Sequence, residues 1–220
     1  RGLAKAETKA TRATSEGLIG IHATDGSAAM VEIACETDFC ARNEQFQSMV
    51  EQVARMAAEA DAGPVEAGDR ITQTVQDCFE KIGENMKYVR GVKVEAATVG
   101  TYLHHNRKVG VIVALDGELD EESLQGLCMH IAFSDPVAIR PEDVPGEMVE
   151  KERRLATEEA HESGKPPQIV EKMVEGKVNK FLSANALLEQ DYVRDESKKV
   201  KEVLGSATLK TFARFAVGQE

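Results

Sequence analysis

The stretch "GLIGIHATDGSAAMVEIAC" (17–35) constrains this chain more than any other. Two apolar runs flank Asp25-Gly26, and a two-residue Asp-Gly link between such runs is the strongest short-range signal for an antiparallel hairpin. A hairpin that apolar must be covered, and the residues that follow supply the cover. Phe46, Met49, Val50, Val53, Met56 and Ala57 recur at helical spacing, with Asn43 placed as N-cap. "DAGPVEAGD" breaks that helix. A second one puts Ile71, Val75, Cys78, Phe79 and Ile82 on one face and ends near Gly83. "NMKYVRGVKVEAA" reads as a further strand.

The order then begins again. "GTYLHHNRKVGVIVAL" (100–115) is a second hairpin, turning near Asn106, and "DGELDEES" leads into a helix carrying Leu124, Leu127, Cys128 and Ile131. Near the end, "SKKVKEVL" reads as a short helix and "LKTFARFAV" as an alternating strand. The halves share pattern and little identity. The expectation is an α+β fold of two related subdomains, each a small antiparallel sheet packed with helices, at 17–97 and 98–220 after a leader at 1–16. The second carries an insertion at about 146–185. There "GEMVEKERRLATEEAHESG" and "PPQIVEKMVEGKVNKFLSAN" are charged amphipathic helices joined at Gly164-Lys165-Pro166-Pro167. So short a link requires an antiparallel helical hairpin, a coiled-coil arm. Met148, Leu155 and Ala156 are expected to face Val170, Met173, Val174, Val178 and Phe181.

Charge and missing chemistry narrow the function. A net charge of −11 argues against nucleic acid or an anionic membrane as the main partner, although "RGLAKAETKATR" opens with four cations and one acid. No apolar run is long enough to predict a membrane span, and no signal-peptide pattern is seen. Cys35, Cys40, Cys78 and Cys128 lack CxxC and zinc-finger spacing, and a reduced, cytoplasmic protein is the reading. Without a P-loop or GxGxxG, no direct nucleotide binding is expected. Neither a cofactor nor a metal site is predicted: His104 and His105 are adjacent, which in a strand sends them to opposite faces. Cys40 lies near Arg42 but has no local histidine to activate it, so an incidental thiol is preferred to a nucleophile. No catalytic site is expected.

One feature resists a purely structural account. In "ETDFCARNEQF" (36–46), Phe39 stands beside Asp38 in a polar stretch of a chain with only 5% aromatic residues. Two readings are open. Phe39 folds back over Phe46 as a local staple while Asp38 caps the turn, or the pair enters another molecule. His130, on the shoulder of its helix's apolar face, reads by itself as a histidine at the edge of the core.

"ETDFCARNEQF" resembles the Thr-Asp-Phe signature of the elongation factor Ts family. "KIGENM" (81–86), "GTYLHHNRKVGVIVA" (100–114), "HIAFSDPVAIRPEDVP" (130–145), "SGKPPQIVEKMVEGKVNKF" (163–181) and "FARFAVGQE" (212–220) are similar to further family segments, in family order. The resemblance implies a translation elongation role as guanine-nucleotide exchange factor for elongation factor Tu. It implies that Thr37, Asp38 and Phe39 enter the partner's G domain near its Mg²⁺, where Phe39 wedges and disturbs the metal's waters and the phosphate loop. Ile82 and Gly83 match positions beside that wedge, and His130 matches a histidine that contacts a different domain of the partner. The arm offers a further contact area. Family members commonly begin with a small helical, ubiquitin-associated-like module and often carry a further C-terminal helix, which makes 1–16 the linker after that module. Two other function classes stay open: an enzyme using Cys40, and a passive binder that leaves GDP dissociation unchanged.

Overall fold

The computed structural model describes residues 12–219, so most of the expected leader and its basic stretch lie outside the described residues. Strands β1 (Glu16–Thr24) and β2 (Ser27–Cys35) pair antiparallel from Glu16↔Cys35 to Thr24↔Ser27. Gly26 at the turn has φ +75°, the conformation for which the Asp-Gly link is selected. Two helices follow, α1 (Asp38–Arg42) and α2 (Glu44–Ala57). Asn43 caps α2 as expected, its side chain accepting from the Gln45 N–H at 2.8 Å. After a two-residue edge strand β3 (Gly63–Pro64), α3 (Asp69–Ile82) ends on Gly83 in the left-handed conformation. β4 (Met86–Glu95) then pairs antiparallel with β2, completing a sheet of order β1-β2-β4-β3.

The second sheet is built in the same sequence of steps. β5 (Thr98–Leu103) and β6 (Val109–Asp116) form the second hairpin, and β9 (Thr208–Ala216) pairs antiparallel with β6. Between them α4 (Glu121–Ser134) buries Leu127, Cys128 and Ile131. The Leu124 side chain occupies the space where a Cβ on Gly100 would stand, at 2.6 Å, so the missing side chain lets α4 approach β5.

β2 reads as an almost unbroken apolar run because both of its faces are covered. Ala29, Val31 and Ile33 pack with Phe46, Val50 and Val53 of α2. Their alternates Ala28 and Met30, with Ile19 and Val94, meet Ile112, Ala114 and Phe215 of the second sheet. Glu32 belongs to that second face and is buried there, paired with Arg90 at 2.8 Å. Arg90 in turn lies 4.4 Å from the Phe215 ring and donates to the Ala216 and Gln219 carbonyls. Packing therefore divides the chain differently from the boundary at 97/98 that the sequence suggests. One unit contains both sheets and takes in residues up to 132 and from 206; the other is 133–205. A small sheet covered on one face only would leave half its apolar residues wet, and the two sheets resolve this by covering each other.

In the second unit, α5 (Gly146–Glu162) and α6 (Pro167–Asn185) form the expected antiparallel hairpin. Its seam differs in detail. Ala156 and Ala160, with Val149, face Val170, Val174 and Val178, whereas Leu155 is 52% exposed. Residues 149, 156 and 160 lie on one helical stripe and Leu155 falls beside it. Phe181 packs instead with Ala138, Val144 and Ala186 at the base. Strands β7 (Asp191–Tyr192) and β8 (Asp195–Lys199) precede a five-residue helix α7 (Val200–Leu204). The expected helix over "SKKVKEVL" thus begins only at Val200, because Lys199 is its N-cap, its N–H held by the Glu202 carboxylate at 2.6 Å.

Candidate functional site

The end of β2 and the end of α3 meet at one place in the first unit. Thr37 leaves the strand in extended conformation and caps α1, its Oγ1 accepting from the Cys40 N–H at 3.2 Å and its carbonyl from the Ala41 N–H at 3.2 Å. α1 has only five residues, and Cys40 and Ala41 face the core. The helical turn therefore sends Asp38 and Phe39 outward.

Phe39 is 79% exposed, while Phe46 is fully buried under the first sheet. The staple reading is excluded: the ring does not fold back over Phe46. Leaving it in water forgoes about 1.5–3 kcal/mol of burial energy. Asp38 sits in the first turn, not at the cap, where a carboxylate favours the helix N-terminus, and it pairs with Arg42 at 3.1 Å. Both side chains are exposed, and such a pair contributes little to stability.

Ile82 and Gly83 arrive beside this turn, both half-buried. Gly83 (φ 78°, ψ 14°) closes α3 with its N–H on the Phe79 carbonyl at 2.7 Å and reverses the chain. The reversal brings the next two residues against the cap of α1. Thr37 Oγ1 donates to the Glu84 carboxylate, at 2.9 Å to Oε2 and 3.1 Å to Oε1. The Asn85 N–H donates to Glu36 Oε1 at 2.5 Å, and Glu36 Oε2 accepts from Arg12 at 3.3 Å. The structure thus joins Thr37, Asp38, Phe39, Ile82 and Gly83 in one place.

His130 is elsewhere and is fully buried. The residue pattern placed it at the edge of the core and only the resemblance made it a contact; in this structure its ring has no exposed surface. The aromatic that α4 does expose is Phe133, at 79%, and in the same unit as Phe133 the side chain of Val137 is also exposed. The signal was present in "AFSDP", an aromatic in a polar stretch with an aspartate two positions on, comparable to the Asp38-Phe39 pair.

The thiols are placed against nucleophilic chemistry. All four are free and buried. Cys35 Sγ donates to the Thr37 carbonyl at 3.4 Å. The hydrogen bond with Cys35, and then burial, push the Cys40 thiol far above its ordinary range, so its thiolate is disfavoured. Burial likewise pushes the Cys128 thiol up to about 12. His104 and His105 leave β5 before the turn and lie with ring centroids 4.2 Å apart rather than on opposite faces. His104 Nδ1 meets the Tyr102 hydroxyl at 2.7 Å. Among the described residues, no three His, Cys, Asp or Glu side chains gather as metal ligands, and no helix is long and apolar enough to cross a membrane.

Comparison with known proteins bears on this geometry. The sequence model of a protein family described as "Elongation factor TS" matches residues 36–219, beginning at the residue before Thr37. A protein named elongation factor Ts from Francisella tularensis subsp. novicida (strain U112) is 39% identical over 228 residues, covering 99% of this chain and 78% of its own. One of the same name from Idiomarina loihiensis is 41% identical over 227 residues, covering 99% and 77%.

Proposed function

The chain belongs to the elongation factor Ts family, and from that premise we propose that it is a guanine-nucleotide exchange factor. It binds elongation factor Tu and promotes GDP release by disturbing the partner's Mg²⁺ and phosphate site. It acts in the cytoplasm, binds no nucleotide, nucleic acid or membrane itself, needs no cofactor and has no catalytic site. The observation that carries the reading is the exposed Phe39, beside Asp38, on a short helix whose other face is anchored in the core.

The mechanism follows from what a partner would meet. Mg²⁺ demands near-ideal octahedral geometry and keeps several waters, so a ring and a carboxylate pushed beside it weaken the grip on the diphosphate. Asp38 brings negative charge toward an ion whose waters are already oriented, and Phe39 takes the place of side chains that support them. Ile82 and Gly83 form the shoulder behind this tip.

Energetics set the size of the interface. Coupling is reciprocal: weakening GDP tenfold weakens the factor tenfold when GDP is bound, about 1.4 kcal/mol each way. One buried Phe supplies about 1.5–3 kcal/mol, too little to release a tightly held nucleotide alone. A second grip is required, and in this reading Phe133 belongs to it. The arm provides additional area. The test is release of fluorescent GDP from elongation factor Tu. Acceleration by this protein is expected; binding without acceleration would make it a passive partner and overturn the proposal.

A further inference from the structure

The direction in which Phe39 points is set by a residue distant in sequence, Glu84, 47 positions after Thr37. A five-residue helix is well below the length that sustains itself in water. α1 therefore takes its orientation from its buried residues and its cap. The cap is a relay: the Cys40 N–H donates to Thr37 Oγ1, and the Thr37 hydroxyl donates to the Glu84 carboxylate. A hydroxyl that accepts from an amide and donates to an ionised acid is held in one rotamer, and each bond polarises the other. That rotamer fixes the phase of the turn in which Phe39 is the second residue. Glu84 reaches Thr37 only because Gly83 reverses the chain in a left-handed conformation.

We infer that Glu84 is a positioning residue for exchange, holding the Thr37 cap so that Phe39 is presented outward before any partner arrives. The inference rests on the exchange reading above. A ring already set at the angle of entry loses little freedom on insertion, so the relay acts on the entry step more than on overall binding. Glu84 touches no nucleotide and acts through Thr37.

The test separates position from fold. Glu84→Ala should lower the maximal rate of stimulated GDP release about tenfold, as expected for loss of one charge-assisted hydrogen bond. The concentration of factor at half-saturation should change less than about twofold, since the rest of the interface is intact. Glu84→Gln keeps an oxygen to accept from Thr37 and should restore most of the maximal rate. The second measurement is hydrogen exchange of the Cys40 amide, which should quicken in Glu84→Ala and in Thr37→Val, and stay slow in Glu84→Gln. A maximal rate per folded molecule equal to wild type in Glu84→Ala, or an unchanged Cys40 amide, overturns the inference. If the unmutated protein fails to accelerate GDP release, the exchange reading falls and this role with it. The amide measurement then still reports whether the relay holds the cap, which keeps the two failures distinct.

Discussion

Phe39 and Phe46 lie on consecutive helices and stand at opposite extremes, one 79% exposed and the other fully buried beneath the first sheet. The same residue type therefore has two unrelated tasks within a few positions. Phe46→Ala should cost about 3–5 kcal/mol of stability in denaturant unfolding, as for other buried aromatics. Phe39→Ala should change stability by less than about 0.5 kcal/mol. It should nonetheless slow stimulated GDP release by roughly tenfold or more, the rate equivalent of the burial its ring would gain in the partner. Equal release by wild type and Phe39→Ala would remove the wedge.

Phe133 and His130 should separate in the opposite way. Phe133→Ser ought to raise the concentration of factor needed for half-maximal release while leaving the melting temperature unchanged, because its ring is in water. His130→Ala ought to lower the melting temperature by several degrees, as for a buried polar residue whose neighbours are left unpacked. Loss of affinity in a fully folded His130→Ala would restore His130 as a direct contact.

The Glu32–Arg90 pair ties the two sheets to the last residues of the chain. Glu32 is 2% exposed by side chain and also accepts from the Gly218 N–H at 3.1 Å. Removing Arg90 leaves that carboxylate buried without its cation, and Arg90→Ala should cost about 3–5 kcal/mol. The loss should vary little with salt, since screening acts weakly on buried pairs. A cost below about 1 kcal/mol in urea titration, the value of a surface pair, would show the pair to be peripheral.

Alkaline stability should report one half-buried and one buried group. Burial pushes Tyr88 from 10.0 up to about 12, with its hydroxyl donating to the Val65 carbonyl at 2.5 Å, and Cys128 from 9.0 up to about 12. Both are raised in the folded state, so the native protein keeps protons that the unfolded chain gives up. Their contribution is complete below the unfolded values and is lost as pH rises from about 9 to about 12. Tyr88→Phe should flatten the fall between about 10 and about 12, measured as the midpoint of chemical unfolding against pH. An unaltered slope would show that Tyr88 ionises freely in the fold.

Much of the local architecture was legible in the residues. Asp25-Gly26 specified a hairpin turn, Asn43 a helix start and Gly83 a helix end, and each stands where expected. Such signals are readable because the cause lies within a few residues of the effect: a positive φ, a cap reaching an amide two positions on. The family and the Thr-Asp-Phe segment were legible for the same reason, as short contiguous patterns. What chain order left open was decided by packing between distant segments. Whether Phe39 tucks inward depends on the cap that Glu84, 47 residues after Thr37, helps to hold. Whether His130 is surface or core depends on what covers α4, and whether the two sheets are separate or share a core depends on Ile19 and Met30 meeting Ile112 and Phe215. Sequence patterning marks which faces are apolar, but only the tertiary arrangement chooses which apolar faces cover one another, because burial is a property of the neighbours and not of the residue.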